Sequence, residues 1–474
     1  MDSVIETKSA LKVGPENKTN WYREVLRVSL PLVVSTSSIM VMEITDRIFL
    51  AHYSLDAIAA AIPGGLTAFL FISFFIGVAV YLNVFIAQYT GAGEEKRVGS
   101  ALWQGIYFSL LAGLIMTLMY FVAAPLFRFS GHVPEVQRLE VIYFRVLCVG
   151  SGLNILGIAL SCFFMGRGQT RPVMLVNLAG MLFNIPLNCA LINGMWGFPE
   201  LGIAGAGIGT VTSWGLMLIL YCVLIFNREN DRRFGVWRNR KIDRGIFLRL
   251  MKFGVPGAIQ FSMDIFAFTF FVLMVGRIGK VELAVTNIVL SINSLTFMPM
   301  MGFSMGTSTL VGQALGRNRP DDAVAVTRST LHIIYIYIGL MAAFFLFVPE
   351  WALSVFQSRN QSPAEYAAIQ EMGIVLLRFV AVYIFFDAQY TTYVGALKGA
   401  GDTRFIMWSI GILSLAVMVL PICVGIEYFG CELYYAWSCC TLFVFSLFAV
   451  SLWRYLRGEW KTMRVIEQKS ERVH

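Results

Sequence analysis

Four carboxylates stand inside long apolar stretches of the chain: Glu43, Asp46, Asp264 and Asp387. A charge at mid-bilayer costs several kcal/mol, so such residues line polar cavities or ion paths and avoid lipid. Ionised, a carboxylate there attracts Na+ or a cationic solute; protonated, it loses that attraction, which can couple one event to the other. Glu43 lies three residues before Asp46, on nearly the same helical face, so the two acids compete for protons. The competing structural roles are an Asp46–Arg47 pair and a pairing of Glu43 with Arg145 or Arg378. Asp264 and Asp387 have no base within a helical turn, so each needs a partner from another helix or a wet cavity. Tyr383, one turn before Asp387, is placed to donate a hydrogen bond there, in a binding vestibule or a structural polar network. Asn287 and Asn293 are secondary candidates.

The elements that must hold these residues are membrane spans. Of 474 residues, 57% are hydrophobic and only 14% charged, with a mean hydropathy of +0.69, which excludes an ordinary soluble domain. Twelve stretches approach the length a bilayer requires: 25–51, 62–88, 101–127, 139–165, 173–194, 201–226, 251–276, 284–310, 324–348, 369–396, 405–426 and 431–455. The short alternating strands of a β-barrel are missing, and the first stretch is too long for a signal peptide. With the N-terminus inside, only Arg128, Arg138, Arg277, Lys280 and Arg359 fall outside, and Arg47, Arg145 and Arg378 fall within spans. The other 29 of the 37 basic residues lie on the inner side. This bias predicts a multi-pass protein of the cytoplasmic membrane with both termini in the cytoplasm. It accounts for most of the net charge of +8 without nucleic acid, and the basic run Arg228–Lys252 reads as a cytoplasmic loop. Eight cysteines form no CxxC pair, so neither a metal site nor a disulfide framework follows.

The chain repeats itself. Asn154 precedes the Thr of Gly166-Arg-Gly-Gln-Thr-Arg171 by sixteen residues, as Asp387 precedes that of Gly399-Ala-Gly-Asp-Thr-Arg404, an offset of 233. Leu30-Pro31 matches Val255-Pro256 at offset 225, and Asp56-Ala57 matches Glu282-Leu283 at 226. Gly91-Ala-Gly93 stands beside Ala314-Leu-Gly316. The expected plan is an all-α integral membrane protein of two parallel six-helix repeats, with substrate between them. Its parts are a tail over 1–24, a first lobe over 25–226, a basic linker over 227–250, a second lobe over 251–455 and a tail over 456–474. Without a GxxxxGK[ST] loop or a sizeable soluble domain, an ion gradient must drive uphill transport.

These features resemble the MATE (multidrug and toxic compound extrusion) family, in its bacterial NorM-like branch, over roughly residues 20 to 456. The strings that carry the resemblance are Ser29-Leu-Pro31, Glu43-Ile-Thr-Asp-Arg47, Ala87-Gln88 with Gly91-Ala-Gly93, Asn184-Ile-Pro-Leu-Asn188, Gly202-Ile-Ala-Gly-Ala206 with Thr210, and Gly399-Ala-Gly-Asp-Thr-Arg404. Each is weak alone; their order along twelve spans is specific. The resemblance implies a twelve-helix antiporter that expels organic cations and amphipathic drugs in exchange for H+ or Na+. It implies a cation site on Asp46, Asn184, Asn188 and Thr210, and acids at work in the seventh and tenth helices, matched by Asp264 and Asp387 with Tyr383 beside them. Some relatives carry a carboxylate where Asn188 stands, and the seventh-helix acid is often Glu. Asn184 and Asn188 share a helical face, and their oxygens with Thr210 and Asp46 suit a hard cation; interhelical hydrogen bonding is the structural alternative.

The resulting expectation is a secondary antiporter, not an enzyme, with no cofactor beyond H+ or Na+ as coupling ion. Its partners are amphipathic or cationic small molecules and membrane lipids, not nucleic acid, and the chain is expected to be monomeric. Tyr81, Phe261, Phe266, Phe268, Phe297 and Met298 offer faces to flat cations, against core packing or lipid contact. Asn154 is a supporting candidate through the repeat. A flippase for a lipid-linked or polysaccharide precursor would instead line its cleft with Arg, a membrane enzyme would cluster His, Cys or acids at an interface, and a nontransporting receptor has no direct support.

Overall fold

A computed structural model of the chain describes residues 20–128, 132–355 and 363–467. Arg359, most of the expected N-terminal tail and the end of the C-terminal tail lie outside the described residues. Twelve long helices cross the fold: α1 Trp21–Tyr53, α2 Leu55–Gly91, α3 Glu95–Arg128, α4 Pro134–Met165, α5 Arg171–Asn193, α6 Gly202–Ile225, α7 Arg244–Ile278, α8 Lys280–Gly316, α9 Pro320–Phe347, α10 Pro363–Ala400, α11 Thr403–Phe429 and α12 Leu433–Arg457. No strand occurs among the described residues.

Every expected span lies within one or two residues of a helix or inside it, but most helices run several residues further. Hydropathy marks the apolar slab, whereas a helix continues into the interface, where long charged side chains reach water. Thus α7 starts at Arg244, capped by the Asp243 carboxylate accepting from Ile246 N–H at 3.1 Å. The stretch read as a linker therefore holds the first residues of α7 and a short helix, Arg228–Phe234, which Gly235 ends in the left-handed region. Ser54 ends α1 and accepts from Ala57 N–H at 3.5 Å, giving a one-residue turn into α2. In α11, Pro421 has no N–H to return to the preceding turn, and the helix loosens into a π-helical turn over Ser414–Val419.

The repeat appears in the backbone. Gly168 and Gly401, in the matching turns after α4 and α10, both adopt positive φ. At the other pair of turns the structure shifts the sequence pairing by two residues. Gly91 corresponds to Gly316, the last residues of α2 and α8, and Gly93 (φ 72°) to Asn318 (φ 58°). Glu94 N–H donates to Tyr89 O at 2.9 Å, and Arg319 N–H to Ala314 O at 3.0 Å, both at offset 225.

One buried cluster is drawn almost wholly from residues 267–460 and a second from residues 32–236 together with Ile246, Leu250, Ala258 and Val465. The beginning of α7 therefore packs into the first half. Between halves, α1 lies on α8 and α2 on α7, close enough that a Cβ on Gly302 would meet Val33 and one on Gly77 would meet Ala258. At one end the contact is reciprocal. Gln88 Nε2 donates to Gly399 O at 2.9 Å, and Gln313 Nε2 donates to Gly166 O at 2.8 Å. A Cβ on Gly91 would run into the Gln313 carbonyl, and one on Gly316 into that of Gln88.

An even number of spans puts Asn20 and Glu467 at this same end. Asn83 and Thr309 pair across it at 2.9 Å, and Tyr22 meets His332 at 2.7 Å. Among the described residues, no hydrogen bond to the other half is made by Val41–Tyr53 of α1 or by 56–72 of α2. The hydrogen bonds between the halves are thus concentrated toward the terminal end.

Candidate functional site

Asp46 lies on the stretch of α1 that makes no hydrogen bond to the other half among the described residues and turns into its own half, where it is 7% exposed. Helix α5 brings Asn184 and Asn188 to it one turn apart, and α6 brings Thr210. Asn188 Nδ2 donates to one Asp46 oxygen and, at 3.3 Å, to Asn184 Oδ1; Thr210 Oγ1 lies 3.1 Å from the other Asp46 oxygen. The four residues singled out from the sequence thus form one buried constellation. Its partners are neutral: no ion pair joins Asp46 to Arg47 among the described residues, so the structural pairing is not formed.

The Thr210 hydroxyl also stands 3.0 Å from Ala206 O. It has one proton and two acceptors in reach, so it can donate to an ionised Asp46 or turn to Ala206 and accept from a protonated one. On the other side, Asn188 Oδ1 and Asn184 Nδ2 are buried without partners. Half a turn of the Asn188 amide would bring its oxygen toward those of Asp46 and Asn184. One carboxylate with amide and hydroxyl oxygens carries a single negative charge, which matches a monovalent cation better than a divalent one. Among the described residues no group of three or more His, Cys, Asp or Glu is arranged for a metal.

Helix α6 can stand this close because it is built from small residues. A Cβ on Gly209 would strike Asn188 Oδ1, and one on Gly205 would sit 2.5 Å from Leu191 O. Neither glycine was singled out for the site from sequence. Tyr143 is a further addition. Its ring fits against Gly64, Gly65 and Gly207, and it lies within electrostatic range of both Asp46 and Glu43. Asn154, three turns further along α4, is half-buried and makes no side-chain hydrogen bond among the described residues. Glu43 is exposed and makes no ion pair among the described residues; Arg145 instead donates to Tyr120 O at 3.2 Å and lies over that ring at 4.4 Å.

The second acid group belongs to α7 and α10. Gln260 donates to Asp264 from one turn away, and Asp264 is in electrostatic range of Asp387 and Lys398. Lys398 is eleven residues beyond Asp387, three turns along the same face of α10, and so lies outside the helical turn around either acid. The expected hydrogen bond from Tyr383 is not formed: its hydroxyl is buried without a partner, and its ring packs 6.4 Å from that of Trp437. Tyr390, with an equally unpartnered hydroxyl, lies in range of both acids. Asn287 is exposed on α8 and offers only its carbonyl, to Ser291 at 2.7 Å. Tyr81, weighed as a face for flat cations against core packing or lipid contact, is buried in the seam and donates to Lys398 O at 3.1 Å.

The MatE family model matches residues 31–190 and 256–424. A probable multidrug resistance protein NorM of Thermotoga maritima is 27% identical over 458 residues, covering 94% of this chain and 95% of its own. Its counterpart in Xylella fastidiosa strain Temecula1 is 27% identical over 412 residues, 86% of this chain and 85% of its own. A solved structure, described as the outward-facing conformation of a multidrug resistance MATE family transporter of the MOP superfamily, matches with a TM-score of 0.85 at 19% identity. It covers 94% of this chain and 97% of that one.

Proposed function

The chain belongs to the MatE family, and from that premise we propose that it is an ion-coupled antiporter exporting amphipathic or cationic organic compounds. The observation that carries this reading is Asp46, a carboxylate buried in the membrane and held only by neutral Asn188 and Thr210. Such a group can gain or lose one positive charge without breaking an ion pair. Proton coupling is favoured by Thr210, whose hydroxyl can satisfy either protonation state. Asp264 and Asp387 give the second half a negative surface suited to cationic cargo, and a phosphate-bearing lipid precursor would be repelled by it.

The bias of the basic residues supports placing the terminal end in the cytoplasm, with both termini cytoplasmic and the hydrogen-bonded seam closed on the inside. Proton uptake at Asp46 from outside and its release inside then accompany opening of alternate ends. The test is ethidium efflux from proteoliposomes under an imposed pH or Na+ gradient. The intact chain should respond to the pH gradient, and Asp46→Asn should lose at least about tenfold of the coupled flux. Flux that ignores both gradients, or coupled flux that survives in the variant, refutes the role of Asp46; a response to Na+ alone would assign the turned Asn188 amide to a Na+ shell.

A further inference from the structure

Past α12 the described residues, 458–467, stay on the protein. Gly458, in the left-handed region, turns the chain back, and the single 3-10 turn Glu459–Thr462 buries Trp460 completely. Trp460 Nε1 donates to Tyr455 O at 2.9 Å, and its ring stacks on that of Tyr455 at 5.0 Å. Trp460 and Met463 pack into the core of the second half, whereas Val465 and Ile466 pack into that of the first. Within five residues the segment changes sides.

Its far end is fixed by charge. Glu467 Oε1 accepts from Arg249 and, at 3.5 Å, from Arg97, while Oε2 accepts from Tyr89 at 3.0 Å. Tyr89 lies in the last turn of α2 and Arg97 in the first turn of α3, and Arg249 lies on the stretch of α7 that packs into the first half. Val465 N–H donates to Gln88 Oε1 at 2.9 Å, so Gln88 holds this segment with its oxygen and Gly399 of α10 with its nitrogen. The segment also walls a cavity of about 840 Å³ over the seam, opposite Gly91, Ala92 and Gly316–Arg319. The Arg249–Glu467 side chains are 24% and 17% exposed, sheltered enough to count for more than a surface pair.

We propose that Met463–Glu467 is a releasable latch: anchored in the second half by Trp460, it grips Gln88, Tyr89, Arg97 and Arg249 of the first and holds the terminal end shut. The Trp460 anchor keeps it with the second half when the seam opens, and its return resets the closed state. This rests on the reading that the two ends open in turn. A contact between cores across a seam that never opened would need no strap.

The test is the distance between spin labels on Lys96→Cys and Arg319→Cys, one on each side of the seam. The background carries Ser in place of the half-buried Cys189, Cys222, Cys423 and Cys431. Glu467→Ala should raise the ratio of long to short distances roughly tenfold, the scale of one lost charged hydrogen bond. Glu459→Gln, whose Arg454 and Arg457 partners all belong to the second half, should change nothing. Glu467→Arg should open the seam and Arg249→Glu should partly close it again. The latch is refuted if Glu467→Ala matches the parent while the parent shows a long distance during ethidium exchange under a pH gradient, or if Glu459→Gln opens the seam equally. A single short distance in every variant and during exchange overturns alternating access as well.

Discussion

At the scale of single residues, the unusual feature is a hydroxyl with two acceptors. Thr210 can answer a change in Asp46 without leaving a buried polar group unpaired, a loss that costs about 1–3 kcal/mol. Thr210→Ser keeps the hydroxyl and should retain most of the proton-driven flux. Thr210→Ala should lose about tenfold or more of it while folding normally, as read by flux and by thermal unfolding of the same preparations. Equal flux in the two variants would remove Thr210 from the coupling path. Glu467, beyond the last span, supplies the pH behaviour of the latch. Burial would raise its carboxyl, but hydrogen bonds from its own backbone, Arg249 and Tyr89 and the Arg249 charge hold it below the ordinary 4.5. A depressed acid contributes above its unfolded value and fails as pH falls through its folded one. The closed fraction read by the Lys96–Arg319 label pair, through Glu467, should therefore stay flat from pH 8 to about 5.

Helices place these groups through what they leave out. The face of α6 that meets α5 is glycine at Gly205 and Gly209, and the Asn188 side chain fills the space that a Cβ on Gly209 would occupy. Gly209→Ala should therefore displace Asn188 and reduce coupled flux to near that of Asp46→Asn, with helical content unchanged by circular dichroism. At the seam, Gly91 and Gly316 each receive the other helix's backbone carbonyl. A backbone atom cannot swing aside as a side chain can, so Gly91→Ala and Gly316→Ala should each populate the open seam in the spin-label measurement. Full closure in either would show that the helix ends tolerate more separation than the packing suggests.

For the whole molecule, the repeat gives two copies of one closing device, Gln88 onto Gly399 and Gln313 onto Gly166. The copies are no longer equal, because the oxygen of Gln88 also takes the Val465 N–H and thereby the strap. Gln88→Ala should open the seam further than Gln313→Ala, by the strap's share. Identical effects would mean that the strap adds nothing to closure.

The sequence by itself determined twelve spans and a duplicated plan, because hydropathy and offset are local or nearly local in the chain; the grouping of Asp46 with Asn184, Asn188 and Thr210 came from the family resemblance, and the tertiary structure brings the four together. Helix ends lay beyond the sequence, since apolarity reports the slab and a helix outlasts it. So did the partners of the second acid group. Lys398 and Tyr390 come within electrostatic range of Asp264 only in the assembled fold, across from α10 to α7, and Tyr383 shares the expected spacing yet turns its ring toward Trp437. The strap was least legible: residues read as a cytoplasmic tail end on Gln88, more than three hundred positions earlier, and only the meeting of the two halves brings that partner into reach.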